Sequence, residues 1–352
     1  MNDAFNLRPL QPSDGPLIDR LGRESPETGR IAFNSTFRFD PYSSLLALYP
    51  GVIGVVAEIP GYEGLAGMAM VQFGECTFEG AMRPFAYLFS LSVHPNFRKR
   101  GLATRLALWR VQAARERFGL EGVIYAGIQP GNTGSLRTAQ RWSSQQFQGR
   151  TFGAVNKTTS KPPLSLAGVE VRPARPDEYE QIAASQNQFY QGYNFYPPQT
   201  ASRLASELAE KPFGFSLNHY YVAVGQSGAL LAGLSVREDG QIIPMQVGRL
   251  PPSLRIANTF IKILPEDGII KRLAVQGFWF AAGQAQAGLH LWEATRYLMH
   301  GRGSMLMCFL DANSPLRQAV SLPRLMPSSG DGSIVLDAPV PMQPGSLIYW
   351  RS

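Results

Sequence analysis

The stretch Val93-His94-Pro95-Asn96-Phe97-Arg98-Lys99-Arg100-Gly101-Leu102-Ala103-Thr104-Arg105, continued to Phe118, decides how this chain is read. It has the grammar of a strand, a basic turn containing glycine, and a helix. The run before it, Phe85 to Val93 (FAYLFSLSV), is apolar and aromatic over the length of a buried strand. After it, Leu102, Leu106, Trp109 and Ala113 form one stripe of a helix. The turn between them places Gly101 where the backbone must approach something closely and surrounds it with positive charge. Free N–H groups at a helix N-terminus, a favourable dipole and basic side chains together make a cradle for a pyrophosphate. The alternative is a solvated basic helix face. Between residues 98 and 117, however, seven basic residues (Arg98, Lys99, Arg100, Arg105, Arg110, Arg115, Arg117) meet one acidic residue, Glu116, whereas a solvated face usually mixes its charges.

The pattern Arg98-x-x-Gly101-x-Ala103, preceded by Val93-x-Pro95, resembles the acyl-coenzyme A signature of the GNAT superfamily of N-acetyltransferases. The resemblance implies an α/β fold with a mixed α+β sheet, and acetyl-CoA as cosubstrate. It assigns cofactor binding to Leu91, Ser92 and Val93 on the strand and to Arg98, Lys99, Arg100, Gly101, Leu102, Ala103 and Thr104 in the loop. In the family the strand splays from its neighbour so that the pantetheine lies between the two. Asn132 and Ser135, in Pro130-Gly131-Asn132-Thr133-Gly134-Ser135, match the second family motif, Asn-x-x-Ala/Ser, where the Asn steadies the pantetheine arm. An Asn at a helix start also serves as a cap alone, and both readings stand.

At 352 residues the chain is long enough for two domains. The expected division is a GNAT domain over 1–156, a linker over 157–168 (polar and proline-bearing) and a second GNAT-like domain over 169–352. The second domain rests on an internal repeat: Val169-Glu170-Val171-Arg172-Pro173-Ala174-Arg175-Pro176-Asp177 follows the grammar of Leu7-Arg8-Pro9-Leu10-Gln11-Pro12-Ser13-Asp14. Its counterpart of the basic turn, Gly283-Gln284-Ala285-Gln286-Ala287-Gly288, carries no Arg or Lys, and a helix is expected from Leu289. Such a loop loses the charge-assisted part of phosphate binding. The second copy therefore reads as degenerate, and one coenzyme per chain is expected. The tandem arrangement is similar to that of plant hookless-type N-acetyltransferases, with Ala86-Tyr87-Leu88 before the first loop and Gly288-Leu289-His290 and Asn313-Ser314-Pro315-Leu316-Arg317 in the divergent half. A tandem repeat can make internally the pairing that single-copy relatives make between chains; the oligomeric state is not readable.

Acetyl transfer from a thioester to an amine needs a deprotonated amine, a polarised carbonyl and a proton for the departing thiolate. The resemblance places the family base at Tyr87, where a carboxylate is usual; a tyrosine near its ordinary pKa of about 10 orients water better than it accepts a proton. The family acid position holds Ala139. Glu58, Glu75 and Glu79 are the substitute carboxylates on nearby elements, and Phe33, Phe37, Phe39 and Tyr42 are candidate walls of an acceptor pocket. Two functions follow: an acetyl-CoA-dependent N-acetyltransferase acting on a small-molecule amine, peptide or protein amine, with Tyr87 relaying protons, or a noncatalytic acyl-CoA-binding or regulatory protein. The net charge of +7 permits nucleic-acid contact, but no interleaved aromatic and basic pattern supports it. Four histidines and two cysteines lack ligand or disulfide spacing, so no metal is expected. Without a leader or an apolar run of about 18 residues, neither a membrane segment nor a compartment other than the cytoplasm is expected.

Overall fold

In a computed structural model of the chain, residues 5–25, 32–249, 258, 264–265, 267–321 and 332–350 are described. The first half runs β1 (Asn6–Pro9), α1 (Gly15–Glu24), β2 (Ala32–Ser35), α2 (Pro41–Leu48), β3 (Val52–Glu58), β4 (Gly67–Phe78), β5 (Ala81–Val93), α3 (Leu102–Phe118), β6 (Val123–Ile128), α4 (Thr133–Ala139), β7 (Gln145–Phe147) and β8 (Thr151–Lys157). The second runs β9 (Val169–Pro173), α5 (Tyr179–Phe189), α6 (Ala201–Ala209), β10 (Asn218–Gly225), β11 (Leu230–Arg237), β12 (Met245–Arg249), β13 (Arg272–Phe280), α7 (Ala285–Leu298), β14 (Met305–Asp311) and β15 (Ser333–Asp337). The mixed α/β character expected from the sequence is present in both halves.

One sheet has the strand order β1-β3-β4-β5-β6-β15-β7, another β9-β10-β11-β13-β14-β8. Their registers coincide. Phe85, Ala86 and Tyr87 of β5 pair in parallel with Val123, Ile124 and Tyr125 of β6, and Arg272, Leu273 and Ala274 of β13 pair in parallel with Met305, Leu306 and Met307 of β14. In each sheet the parallel pairing stops after these three residues while both strands continue. Each central strand also carries a bulge where the antiparallel ladder slips, between Met68 and Met70 opposite β5 and between Gly233 and Ser235 opposite β13. Ser90 and Gly277 sit at the two slips with φ of 47° and 55°.

The repeated opening motif folds alike in both halves. Arg8 forks onto Asp14 at 2.7 Å and donates to the Pro9 carbonyl, while Asp14 accepts from the Gln11 N–H. Arg172 forks onto Glu178, donates to the Pro173 carbonyl, and Glu178 accepts from the Arg175 N–H. The partner in the second copy is thus Glu178, one residue beyond Asp177. Each arrangement closes the first turn after the strand and fixes the helix entry.

The chain divides into two compact units, and the boundaries differ from those the sequence suggested. The first unit takes the residues up to Gly149 with the segments carrying β12 and β15; the second takes Arg150–Gln241, the segments carrying β13 and β14, and the residues from Gly345. β8, expected to close the first domain, pairs with β14 over Met305–Asp311, and β15, expected in the second, pairs with β6 over Ile124–Ile128. Residues 158–168, expected as part of a linker, are irregular and lie within the second unit.

Within the first unit both faces of the sheet are covered. Alternation along β3 and β4 sends Val56, Met68 and Met70 to the side of Ile18, Leu21 and Leu45, and Val55, Ala57 and Ala69 to the side of Leu102 and Leu106. The β12 strand pairs with β2, Met245 opposite Ser35 and Val247 opposite Phe33.

Candidate functional site

Past Tyr87, β5 parts from β6 and leads into the basic loop. The bulge sets two residues, Ser90 and Leu91, against Ala69 alone. It restores Leu91 and Val93 to the face that packs on α3, which Ala86 and Leu88 occupy earlier in the strand. A 3-10 turn over Pro95–Phe97 follows, with Nδ1 of His94 accepting from the Asn96 N–H at 3.3 Å. Arg98 then folds back, its Nε donating to the Val93 carbonyl at 3.0 Å. Lys99 and Gly101 adopt φ of 62° and 80°. A Cβ on Gly101 would meet nothing within 4 Å, so glycine is required here by backbone conformation and the space in front of it is open. The first helical bond seen at this end runs from the Arg105 N–H to the Gly101 carbonyl at 3.2 Å. The N–H groups of Leu102, Ala103 and Thr104 therefore have no acceptor within the helix, the arrangement an anion takes up.

The seven basic residues do not act as one cluster. Arg98, Lys99 and Arg100 are exposed in the loop, Arg100 lying 5.7 Å over the Phe97 ring. Tyr62 packs edge-on against Phe97 at 5.0 Å and tilted against His94, while His94 stands 3.4 Å from Glu24 at the end of α1. These contacts brace the loop from behind. Arg105 donates to the Phe5 carbonyl, Arg115 pairs with Asp337 on β15, and Arg117 covers the Phe73 ring. Arg110 is buried.

Asn132 caps α4, its Oδ1 accepting from the Ser135 N–H at 3.0 Å. The structure thus shows the capping reading in place, with both residues at the mouth of the helix that follows β6. Tyr87 is half-buried on the face opposite α3, stacked on Phe89 at 5.6 Å and 8° and leaning on Tyr125 at 5.1 Å. Phe89 packs in turn with the α1 and α2 cluster. Ala139 is buried with Ile128 and Val335 and offers no proton. Two of the substitute carboxylates are engaged elsewhere: Glu58 pairs with Arg8, and Glu79 accepts from the Gln343 N–H at the β4–β5 turn. Glu75 is an exposed residue of β4.

A cavity of 490 Å³ lies away from the loop, lined by Tyr42 and Leu45 of α2, Ile53 of β3 and Trp109, Ala113 and Arg117 of α3. None of residues 91–104 lines it. Of the proposed acceptor walls, Tyr42 borders this cavity and Phe37 packs into the α1–α2 core. Among the described residues no group of three or more His, Cys, Asp and Glu is placed to hold a metal ion, and no helix is long and apolar enough to cross a membrane. Both cysteines are buried thiols, and burial pushes Cys308 up to about 12.

The second unit repeats the parted strands but fills them. Gln186 stands where a side chain on Gly277 would point, 2.6 Å from that position. The Gly277 N–H donates to the Tyr349 hydroxyl at 3.3 Å, and the Tyr190 hydroxyl donates to the Phe278 carbonyl at 2.6 Å. Tyr190 stacks on Tyr196 at 4.7 Å and meets Tyr349 edge-on at 5.0 Å. The connection to α7 is Ala281–Gln284, four residues against the eight of His94–Gly101, with Gly283 at φ 76°. The expected turn over Gly283–Gly288 is therefore only partly a turn: Ala285–Gly288 already belong to α7, which starts four residues before Leu289. Gly288 is held close to Ala319.

Comparison with known proteins agrees with this anatomy. The family described as Acetyltransferase (GNAT) family matches residues 22–143, which span α2 to α4 and the whole basic loop. No curated protein sequence matches the chain. Among solved structures, a GCN5-related N-acetyltransferase from Sphaerobacter thermophilus is 18% identical, with 94% of each chain covered and a TM-score of 0.57. Saccharomyces cerevisiae N-myristoyltransferase with bound myristoyl-CoA is 10% identical, covers 95% of this chain and 82% of its own, and gives a TM-score of 0.62. A GCN5-related N-acetyltransferase from Kribbella flavida follows at 14% identity, 95% and 71% coverage and a TM-score of 0.52. At these identities the likeness is one of fold, and it extends over both halves. Residues 22–143 thus match the Acetyltransferase (GNAT) family, within a chain whose fold is similar in both halves to the N-acetyltransferase and N-myristoyltransferase structures.

Proposed function

We propose that the chain is an acetyl-CoA-dependent N-acetyltransferase that holds one coenzyme, in the first unit, and passes its acetyl group directly to an amine. The observation that carries this reading is the parting of β5 from β6 directly before a loop whose left-handed Gly101 presents the N–H groups of Leu102, Ala103 and Thr104 to open space. Those groups, with Arg98, Lys99 and Arg100, suit a pyrophosphate; Leu91, Ser92 and Val93 suit the pantetheine and thioester, and Asn132 and Ser135 border its far side. In the transfer the amine nitrogen forms a bond to the thioester carbon and loses a proton, the carbon–sulfur bond breaks, and the thiolate takes up a proton. Tyr87, on the face of α1 and α2, is the residue proposed to order the water that carries these protons.

The acceptor is a small-molecule, peptide or protein amine. Isothermal titration with acetyl-CoA tests binding, and release of free coenzyme A over a panel of polyamines, aminoglycosides and peptides tests transfer. Binding of one equivalent with turnover lowered in Tyr87→Phe supports the enzyme. Tight binding without turnover on any amine would make the protein a noncatalytic acyl-CoA binder, a reading that the buried Ala139 in the acid position favours.

A further inference from the structure

Along α3 the buried positions Leu102, Leu106, Arg110 and Ala114 are spaced by four, and one of them is a cation. Arg110 is 4% exposed. Its Nη1 donates to the carbonyls of Met70 at 3.2 Å and Phe89 at 3.0 Å, the last residue pair of the β4–β5 ladder before the bulge. Its Nε is buried without a partner. No carboxylate pairs with it among the described residues, and burial alone acts on the guanidinium, pushing it down to about 9, which leaves it charged at neutral pH. A buried charge with no counterion costs stability.

The bulge itself does not require that charge. In α7 the buried residues Ala287, Gly288, Leu291, Trp292, Ala294 and Thr295 carry no charge, and Thr295 donates to its own helix at the Leu291 carbonyl, 2.8 Å away. The second bulge is satisfied by the neutral hydroxyls of Tyr190 and Tyr349. A buried cation is thus found on the helix packed against the open bulge, whereas the helix of the second unit, whose bulge is filled by tyrosines, buries none.

We propose that Arg110 is a positioning residue for acyl transfer: acting through the Phe89 carbonyl, its uncompensated charge gives the segment Ser90–Val93 a positive potential that stabilises the oxygen and sulfur anions of a thioester cleaved there. By drawing on the Phe89 carbonyl it polarises the Phe89–Ser90 peptide and strengthens the Ser90 N–H as a donor. Its field acts through a low-dielectric sheet rather than through water. Attack by the amine places negative charge first on the carbonyl oxygen; expulsion of the sulfur moves it to the thiolate, and both are met by the same fixed charge. The inference rests on coenzyme A lying along this segment.

The test follows the ultraviolet thiolate absorbance of coenzyme A bound to the intact protein as pH is raised. Free coenzyme A titrated in the same buffer gives the reference, and the bound thiol is expected to ionise about one pH unit lower or more. Arg110→Met should return the bound thiol to its free value or above, Arg110→Lys should keep it low, and the affinity for coenzyme A should change by less than about threefold in both because the pyrophosphate grip is untouched. A structural role alone would not move the thiol between Met and Lys. A wild-type thiol that titrates at or above the free value overturns the role of Arg110 even if the Met variant does not fold, as does a lowered value that persists in Arg110→Met or Arg110→Gln. Failure of the wild type to bind coenzyme A at all would instead overturn the cofactor site itself, and the proposal with it.

Discussion

At the first bulge Ser90 is exposed and Arg110 reaches the Phe89 carbonyl from α3; at the second, Gln186, Tyr190 and Tyr349 close over Gly277, and the buried residues of α7 carry no charge. The two share strand order, the register of the parallel pairing and the positive φ of the slipped residue. What differs is the filling. A parted pair of strands leaves backbone groups that must be met by something, and the second unit meets them with its own tyrosines. The difference between the units is thus more than the missing arginines of a loop: at the second bulge the chain's own side chains occupy the space over Gly277.

The largest effect expected from breaking this comparison is at the two turn glycines. Gly101→Glu should weaken acetyl-CoA binding by about 100-fold or more, since it adds a like charge to an anion cradle and a side chain at φ 80°. Gly283→Glu, at φ 76° in the short uncharged loop, should leave the calorimetric titration unchanged. An equal loss in both would mean that the units share the work.

Next is the sheet that β15 completes. Leu336 is fully buried between β6 and β7, and Leu336→Ala should cost about 2–5 kcal/mol in urea unfolding. Tyr190→Phe removes the hydroxyl from the buried Phe278 carbonyl and should cost about 1–3 kcal/mol without altering cofactor affinity. A change in that affinity would show the filled cleft to be functional.

The smallest effect concerns the repeated opening motif. The hydrogen bond from Arg172, first among the influences on Glu178, holds its carboxyl below the ordinary glutamate range. A depressed acid contributes stability that is present above its unfolded pKa, about 4.3, and is lost as pH falls through the folded value. Glu178→Gln should therefore lower stability by about 1 kcal/mol at pH 7, and the difference from wild type should vanish in acid unfolding curves taken well below pH 4.

Much of the first unit was legible because its signals are local. An apolar run ending at Val93, a glycine among basic residues and an amphipathic stripe are adjacent in sequence, so strand, loop and helix follow from propensity and period alone. Arg110 was harder: counted among seven basic residues it reads as surface charge. The clue was its spacing of four from Leu102 and Leu106, which places it on the buried stripe rather than beside it. The bulges were not legible, since a one-residue slip between β4 and β5 is set by the partner strand. Nor was the placement of β8 and β15. Both are short strands able to sit beside either β6 or β14, and nothing local selects which.

The assignment of β15 to the first sheet has a consequence for how the protein is made. Because synthesis proceeds from the N-terminus, Val123–Ile128 emerges more than 200 residues before the strand that will cover its edge. During that interval the first unit exposes an unpaired strand rich in valine and isoleucine, a template for association with other chains. The strand on offer in the meantime, Thr151–Lys157, is the one finally used by β14. A nascent first half that captured it would be compact yet miswired, and would have to release it before the second sheet could close.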